Sequence, residues 1–331
     1  GNDIDGNMAG EKLGYSVSMP DANTMAVGIT ETANGSVRVY NWNGTAWVQK
    51  GLDISGESSS DKSGWSVSMP DANTVAIGAP YNDGNGGSAG HVRVYSWNGT
   101  AWVQKGLDID GETANDRSGQ SVSMPDANTV AIGAHLNDGT GVDAGHVRIY
   151  NWNGTAWVQM GTDIEGEAAG DWSGYSVSMP DASTVAIGAR YNDGVISNAG
   201  HVRVYTWSSV SGTWTQKGID IDDLTVDDQS GYSVSMPDAN TVAIGSPDDG
   251  NTAGAGHVKV YSWNGTIWTQ KGVDIDGEAI NDAFGSAVSM PDANTVAIGA
   301  PLNSDNGSSA GSARVYGWSG TAWIQRGMDL D

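Results

Sequence analysis

Short bursts of alternating small and apolar residues run the length of the chain, and they are clearest between Gly64 and Asp116. Gly64–Met69 (GWSVSM) alternates and predicts a strand. Pro70-Asp71-Ala72-Asn73 reads as a turn: Pro presets φ, and Asp and Asn hydrogen-bond their own backbone. Thr74–Ala79 (TVAIGA), small and β-branched, predicts a second strand. A Gly/Asn/Asp loop follows over Pro80–Gly90. His91–Trp97 (HVRVYSW) alternates again as a third strand, and Asn98-Gly99 is a hairpin signal. Ala101–Ile109 (AWVQKGLDI) predicts the fourth strand, and Asp110–Ser118 is an acidic loop leading onward. No segment shows a helical period.

The same pattern returns along the whole chain. Met-Pro-Asp-Ala occurs six times, with its proline at Pro20, Pro70, Pro125, Pro180, Pro237 and Pro291. Length variation is confined to one loop and to the Ser208–Gly212 region. Four strands in a unit of about fifty residues is the signature of a propeller blade. The expectation is therefore an all-β, six-bladed β-propeller with four antiparallel strands per blade. It forms one domain with repeats near 6–55, 56–110, 111–165, 166–222, 223–276 and 277–331. Gly1–Asp5 and Gly327–Asp331 both resemble the end of a fourth strand. The C-terminal copy is expected to occupy the outer position of the last blade.

Composition adds limits. Glycine is abundant (48 residues) and cysteine absent, which excludes disulfides and thiolate metal sites. The formal charge of −24 repels phosphate backbones and anionic membranes, so neither nucleic acid nor direct membrane insertion is expected. It suits cations or basic partners.

The residues that recur at fixed places resemble the FG-GAP repeats of integrin α-subunit propellers and their bacterial and algal relatives. Phe284-Gly285 keeps the Phe-Gly element, which elsewhere reads Leu13-Gly14, Ser63-Gly64, Ser118-Gly119, Ser173-Gly174 and Ser230-Gly231. Gly78-Ala79-Pro80 and Gly299-Ala300-Pro301 keep the Gly-Ala-Pro element. It is altered at Gly133-Ala134-His135, Gly188-Ala189-Arg190 and Gly245-Ser246-Pro247, and lost at Gly28-Ile29-Thr30. Gly90–Tyr95 and Thr100–Gln104 also look like this family. The resemblance implies a propeller and surface recognition, often adhesive, outside the cell. It also implies calcium between the first two strands, but the Pro-Asp-Ala-Asn turn here is too short to wrap an ion.

Antiparallel strands put alternate loops on alternate ends of a blade. The second-to-third-strand loops and the blade links therefore share one end, and the closed ring should crowd their acids along one rim. The loops supply Asn82, Asp83, Asn137, Asp138, Asn192, Asp193, Asp248 and Asp249 as candidate ligand contacts. The links supply Asp108, Asp110, Glu112 and Asp116; Asp163, Glu165, Glu167 and Asp171; and Asp274, Asp276, Glu278 and Asp282. Hard oxygen donors beside Gly turns suit Ca²⁺, the one cofactor these links suggest. The competing reading is that the same side chains cap turns.

Tryptophans recur in pairs around each hairpin, from Trp42/Trp47 to Trp318/Trp323. They read either as sugar-stacking platforms or, preferably, as cross-strand pairs filling the gap between blades. Trp65 and Trp172 occur in single copies, where Tyr15, Tyr175, Tyr232, Gln120 or Asp171 stand elsewhere, and are candidate ligand contacts on the acidic end. His91, His146, His201 and His257 open the third strand of four blades, with Ser36 and Ser312 in the other two. Their expected role is to anchor a turn rather than ligate a metal. Asn43, Asn98, Asn153 and Asn264 lie in Asn-Gly-Thr sequons that also make hairpin turns, and Asn34 and Asn306 lie in Asn-Gly-Ser.

No nucleophile elbow, zinc motif or phosphate loop is present. The leading expectation is a non-catalytic, extracellular or cell-surface recognition or adhesion module binding a protein or glycan on an exposed propeller face. Alternatives are a lectin with repeated Trp/Asn/Asp sites and a structural block of a larger surface fibre or coat.

Overall fold

In the computed structural model, which describes residues 3–248 and 254–330, the four predicted strands of each repeat form one antiparallel sheet. Six such sheets follow one another, and among the described residues every regular element is a strand. The fold is an all-β, six-bladed β-propeller.

The second blade shows how the residues dictate this. Its innermost strand, Ser66–Asp71, pairs with Thr74–Ala79, which pairs with His91–Trp97. The tight turn closes because Asp71 Oδ1 accepts the Asn73 amide at 2.7 Å. The ladder shifts register between Ser68 and Asp71, which admits Pro70 where it would otherwise break a bond. Asp71 and Trp97 lie at one end of the sheet; Ala79, His91 and Asp110 lie at the other, as strand alternation requires.

The fourth strand differs from expectation. Ala101–Ile109 is not continuous: Trp102–Gln104 and Ile109–Asp110 pair separately with the same strand, His91–Trp97. The break falls at Gly106, with φ +85°, where a Cβ would stand 2.6 Å from the Trp152 ring. This left-handed turn swings Lys105 toward the next blade, so the interruption is a blade-to-blade joint. Leu330 bridges Ala313 in the last blade, the place that Ile54 and Ile109 take beside Val37 and Val92.

The chain divides into two compact units, Gly1–Ile164 and Glu165–Asp331. Within the first, each apolar core lies between consecutive blades: Ala26, Val37, Val39 and Ile54 pack on Met69, Val75, Ile77 and Tyr95 of the next. Within the second, Ala186, Val202, Val204 and Ile221 pack in the same way on Met236, Val242, Ile244 and Trp268. One sheet cannot cover its own faces, and each fully buried Val or Ile contributes about 1.5–3 kcal/mol against its neighbour. Serines of the inner strand tie blades together: Ser66 Oγ donates to Gly119 O at 2.8 Å, and Ser68 Oγ accepts the Met124 amide at 2.9 Å. Ser233 and Ser235 do the same in the second unit.

Candidate functional site

The paired tryptophans belong to the joints. Trp97 and Trp102 are directly opposite in register, with ring centroids 5.5 Å apart. Lys50 of the preceding blade lies over both rings, and Trp102 Nε1 donates to Lys50 O at 2.8 Å. Lys105, Lys217 and Lys271 repeat the arrangement on the next pair of rings, with Trp157, Trp268 and Trp323 donating to their carbonyls. Each of these ammonium groups also donates to the following Met-Pro-Asp-Ala turn, as Lys105 does to Ala127 O and Asn128 Oδ1. The sequon asparagines Asn43, Asn98, Asn153 and Asn264 turn Oδ1 back onto the amides two and three residues ahead.

The acids of a link do not converge on one point. Asp116, almost fully buried, accepts from the amides of Glu112 and Thr113 and from Asn137 Nδ2 at 3.1 Å. Asp171 and Asp282 cap their own turns and take Asn192 and Asn303 in the same manner. Asn82, Asn137 and Asn192 are consequently buried loop locks, with Oδ1 accepting the amide two residues on. Asp83, Asp138 and Asp193 accept an amide five residues ahead at the exposed loop tip. Asp248 takes Gln229 Nε2 at 3.2 Å; Asp249 lies outside the described residues. Asp110 and Asp276 are exposed and Glu165 half-buried. Asp274 accepts Gln270 Nε2, and Glu278 pairs with Arg314 at 2.6 Å.

The remaining link acids meet a histidine instead. Glu57 of one link, Asp108 of the next and His91 between them bring one ligand atom each within 4.8 Å of the others. Glu112, His146 and Asp163 repeat this, as do Glu167, His201 and Asp220. Gln104 Nε2 holds one oxygen of Asp108 at 2.6 Å, and the other faces His91 Nδ1 at 3.6 Å. The imidazole is 1% exposed, and neither ring nitrogen has a hydrogen-bond partner. Burial, reinforced by Arg93, pushes His91 down to about 4, and His146 shifts equally beside Arg148, so both rings are neutral at pH 7. Burial and Asp108 raise the Glu57 carboxyl. These three links therefore bring together a mixed nitrogen–oxygen trio spanning two links, whereas Glu278, Asp305 and Asp329 form an all-carboxylate group.

The second cluster is aromatic. In the second unit the Arg190 guanidinium lies over the rings of Tyr191 (4.3 Å), Tyr175 (4.4 Å), Tyr232 (4.9 Å) and Trp172 (5.2 Å). Arg190 Nη2 also donates to the Tyr191 hydroxyl. Trp172 packs edge-on against Tyr191 and stacks with Tyr175, and Tyr175 touches Tyr232. All five side chains are half-buried. Tyr232 also borders a groove of about 430 Å³ lined by Gln229, Pro247, Ala283, Ser286 and Leu302. The first unit has a smaller version: Trp65 between Tyr15 and Tyr81, with Arg117 3.8 Å from the Tyr81 centroid. Trp65 and Trp172 are not equivalent positions. Trp172, at φ +58°, takes the left-handed site that Lys62 (+57°), Arg117 (+60°) and Gln229 (+55°) fill elsewhere, three residues ahead of the Tyr15/Trp65/Tyr175/Tyr232 position. Arg190 and Tyr191 went unmarked in the sequence, although Arg190 interrupts a position that is Pro80, Pro247 and Pro301 in three blades.

Solved structures share the fold at low identity. A putative 6-phosphogluconolactonase from Bacteroides uniformis superposes with a TM-score of 0.66 at 9% identity, over 96% of this chain and 85% of that one. A Lactobacillus plantarum protein gives a TM-score of 0.62 at 13% identity, over 98% and 87%. The β-propeller domain of the Trilobed protease from Pyrococcus furiosus gives 0.51 at 12% identity, over 95% and 85%. No curated protein matches the chain. Residues 52–95 and 268–316 match the FG-GAP repeat model, each running from the outer edge of one blade to the third strand of the next. The chain is therefore a six-bladed β-propeller in which two segments match the FG-GAP repeat.

Proposed function

We propose that the protein is a non-catalytic, extracellular recognition module whose protein or glycan ligand docks on the aromatic–arginine cluster of the second unit. The observation that carries this reading is the half-exposed group of Trp172, Tyr175, Tyr191 and Tyr232 around Arg190, beside the groove that Tyr232 borders. Rigid aromatic rings and a planar guanidinium give large contact area at low entropic cost, the usual make-up of a binding hot spot. The cluster depends on two departures from the repeat, Trp172 and Arg190. A feature kept in every blade serves the blade, whereas one that breaks the pattern is free to serve a ligand. The repeated Trp pairs, committed to joints, do not support a lectin with one site per blade.

Trp172→Lys with Arg190→Pro restores residues that the second blade carries at the same places, Lys62 and Pro80, so the variant should fold. A glycan array and a displayed peptide library would be screened against the wild type and this variant. Ligands that bind the wild type and lose at least tenfold affinity for the variant are expected. Ligands indifferent to the change would overturn the assignment.

A further inference from the structure

Three histidines are buried beside carboxylates with nothing to bond to. His91, His146 and His201 are each 1% exposed, with both ring nitrogens unpartnered. We infer that the trios Glu57–His91–Asp108, Glu112–His146–Asp163 and Glu167–His201–Asp220 each bind one divalent transition-metal cation of the zinc class, through one imidazole nitrogen and two carboxylate oxygens.

Four observations converge. The buried imidazole points Nδ1 at the open oxygen of the acid, at 3.6 Å for Asp108 and Asp163. For His201 it faces Asp222, Asp220 and Glu167 at 3.7–4.0 Å. These separations are slightly wider than the roughly 3.4 Å between adjacent ligands of a tetrahedral ion bound at about 2.1 Å, so small side-chain movements close the site. Gln104, Gln159 and Gln216 hold the second oxygen of Asp108, Asp163 and Asp220, the outer-sphere support that metal-binding carboxylates need. The donor set mixes nitrogen with oxygen, which favours a borderline transition cation over calcium.

The other blades show what happens without the histidine. Where Ser36 and Ser312 replace it, the arginine two residues on closes directly on the acid. Arg38 Nε reaches Asp53 at 3.1 Å and Arg314 Nε reaches Asp329 at 3.0 Å. In the blade of His257, Lys259 Nζ occupies Asp223 at 2.7 Å. Where a trio is present, the arginine is held off: Arg93 Nη2 donates to Ser55 O, Arg148 to Asp110 O and Arg203 to Glu165 O. Their Nη1 atoms stand 3.4–3.5 Å from the trio's glutamate, and Asp61 and Asp116 are the other charges near His91 and His146. The arginine therefore pairs with the trio's glutamate, and Asp108, Asp163 and Asp220 beside the histidine are left without a lysine or arginine partner, among the described residues.

The full chain, dialysed against Zn²⁺ and analysed for bound metal, should hold three ions. H91S/H146S/H201S should hold none. Serine is chosen because Ser36 and Ser312 stand at the same place, and circular dichroism checks the fold. If the triple variant does not fold, the single variants should each lose one ion. Parallel dialysis against Ca²⁺ should show no histidine-dependent uptake. Absence of saturable Zn²⁺, Zn²⁺ retained after removal of the histidines, or Ca²⁺ taken up equally well would each overturn the assignment.

Discussion

Asp228 and Asp223 stand against each other inside the second unit, both almost fully buried. Burial and the neighbouring Asp223 push Asp228 up to about 7. Burial opposes ionisation of Asp223 as well, yet the adjacent His257 and Asp228, and the Lys259 ammonium that donates to it at 2.7 Å, hold it well below the ordinary carboxylate range. A carboxyl raised on folding stabilises the fold below its unfolded value near 3.8, and that contribution is lost as pH rises through about 7. Asp228→Asn keeps the shape of the protonated acid and cannot ionise. The wild type should therefore lose a few degrees of melting temperature relative to D228N between about pH 6 and pH 8, measured by calorimetry at both. Gly106 makes a second residue-scale case. Its φ of +85° and the Trp152 ring leave no place for a methyl group. Gly106→Ala should destabilise by about 2 kcal/mol or more in denaturant titration.

At the scale of the element, the fourth strand explains both what the sequence disclosed and what it hid. The Trp-Asn-Gly hairpin and the cross-strand pair were readable because neighbours in sequence make them, as Trp97 and Trp102 do. The break at Gly106 was hidden because its cause, the Trp152 ring, lies in the next blade. The same blindness split the acids: Asp108 and Glu112 look like one motif, but strand geometry sends them to different histidines, His91 and His146. Asn82 looked like a loop-tip contact and is a buried lock because Asp61, a link earlier, reaches it. Trp172 was grouped with Trp65, three residues out of register, because alternation alone does not reveal a left-handed turn. If the Trp pair is a joint, Trp102→Ala removes ring packing, the Lys50 contact and the bond to its carbonyl. A cost of roughly 3–5 kcal/mol in unfolding experiments is expected, in line with large-to-small core changes.

For the molecule as a whole, six blades of one plan were legible from the Met-Pro-Asp-Ala repeat alone. The proposed function was much less so, because it rests on exceptions: Trp172, Arg190, and the choice of His or Ser at one strand position. The conserved plan accounts for the inner-strand serines, the turn aspartates and the lysine–tryptophan joints. The departures gather rings around a guanidinium and place histidines against acids. A division of labour follows, in which regular positions carry stability and irregular ones carry binding. Calorimetric titration of one selected ligand into the wild type, W102A and W172K/R190P tests it most directly. The account predicts wild-type affinity for W102A despite its lower melting temperature, and at least a tenfold loss for W172K/R190P with its melting temperature preserved. Equal affinity for all three proteins, or loss confined to W102A, would contradict it.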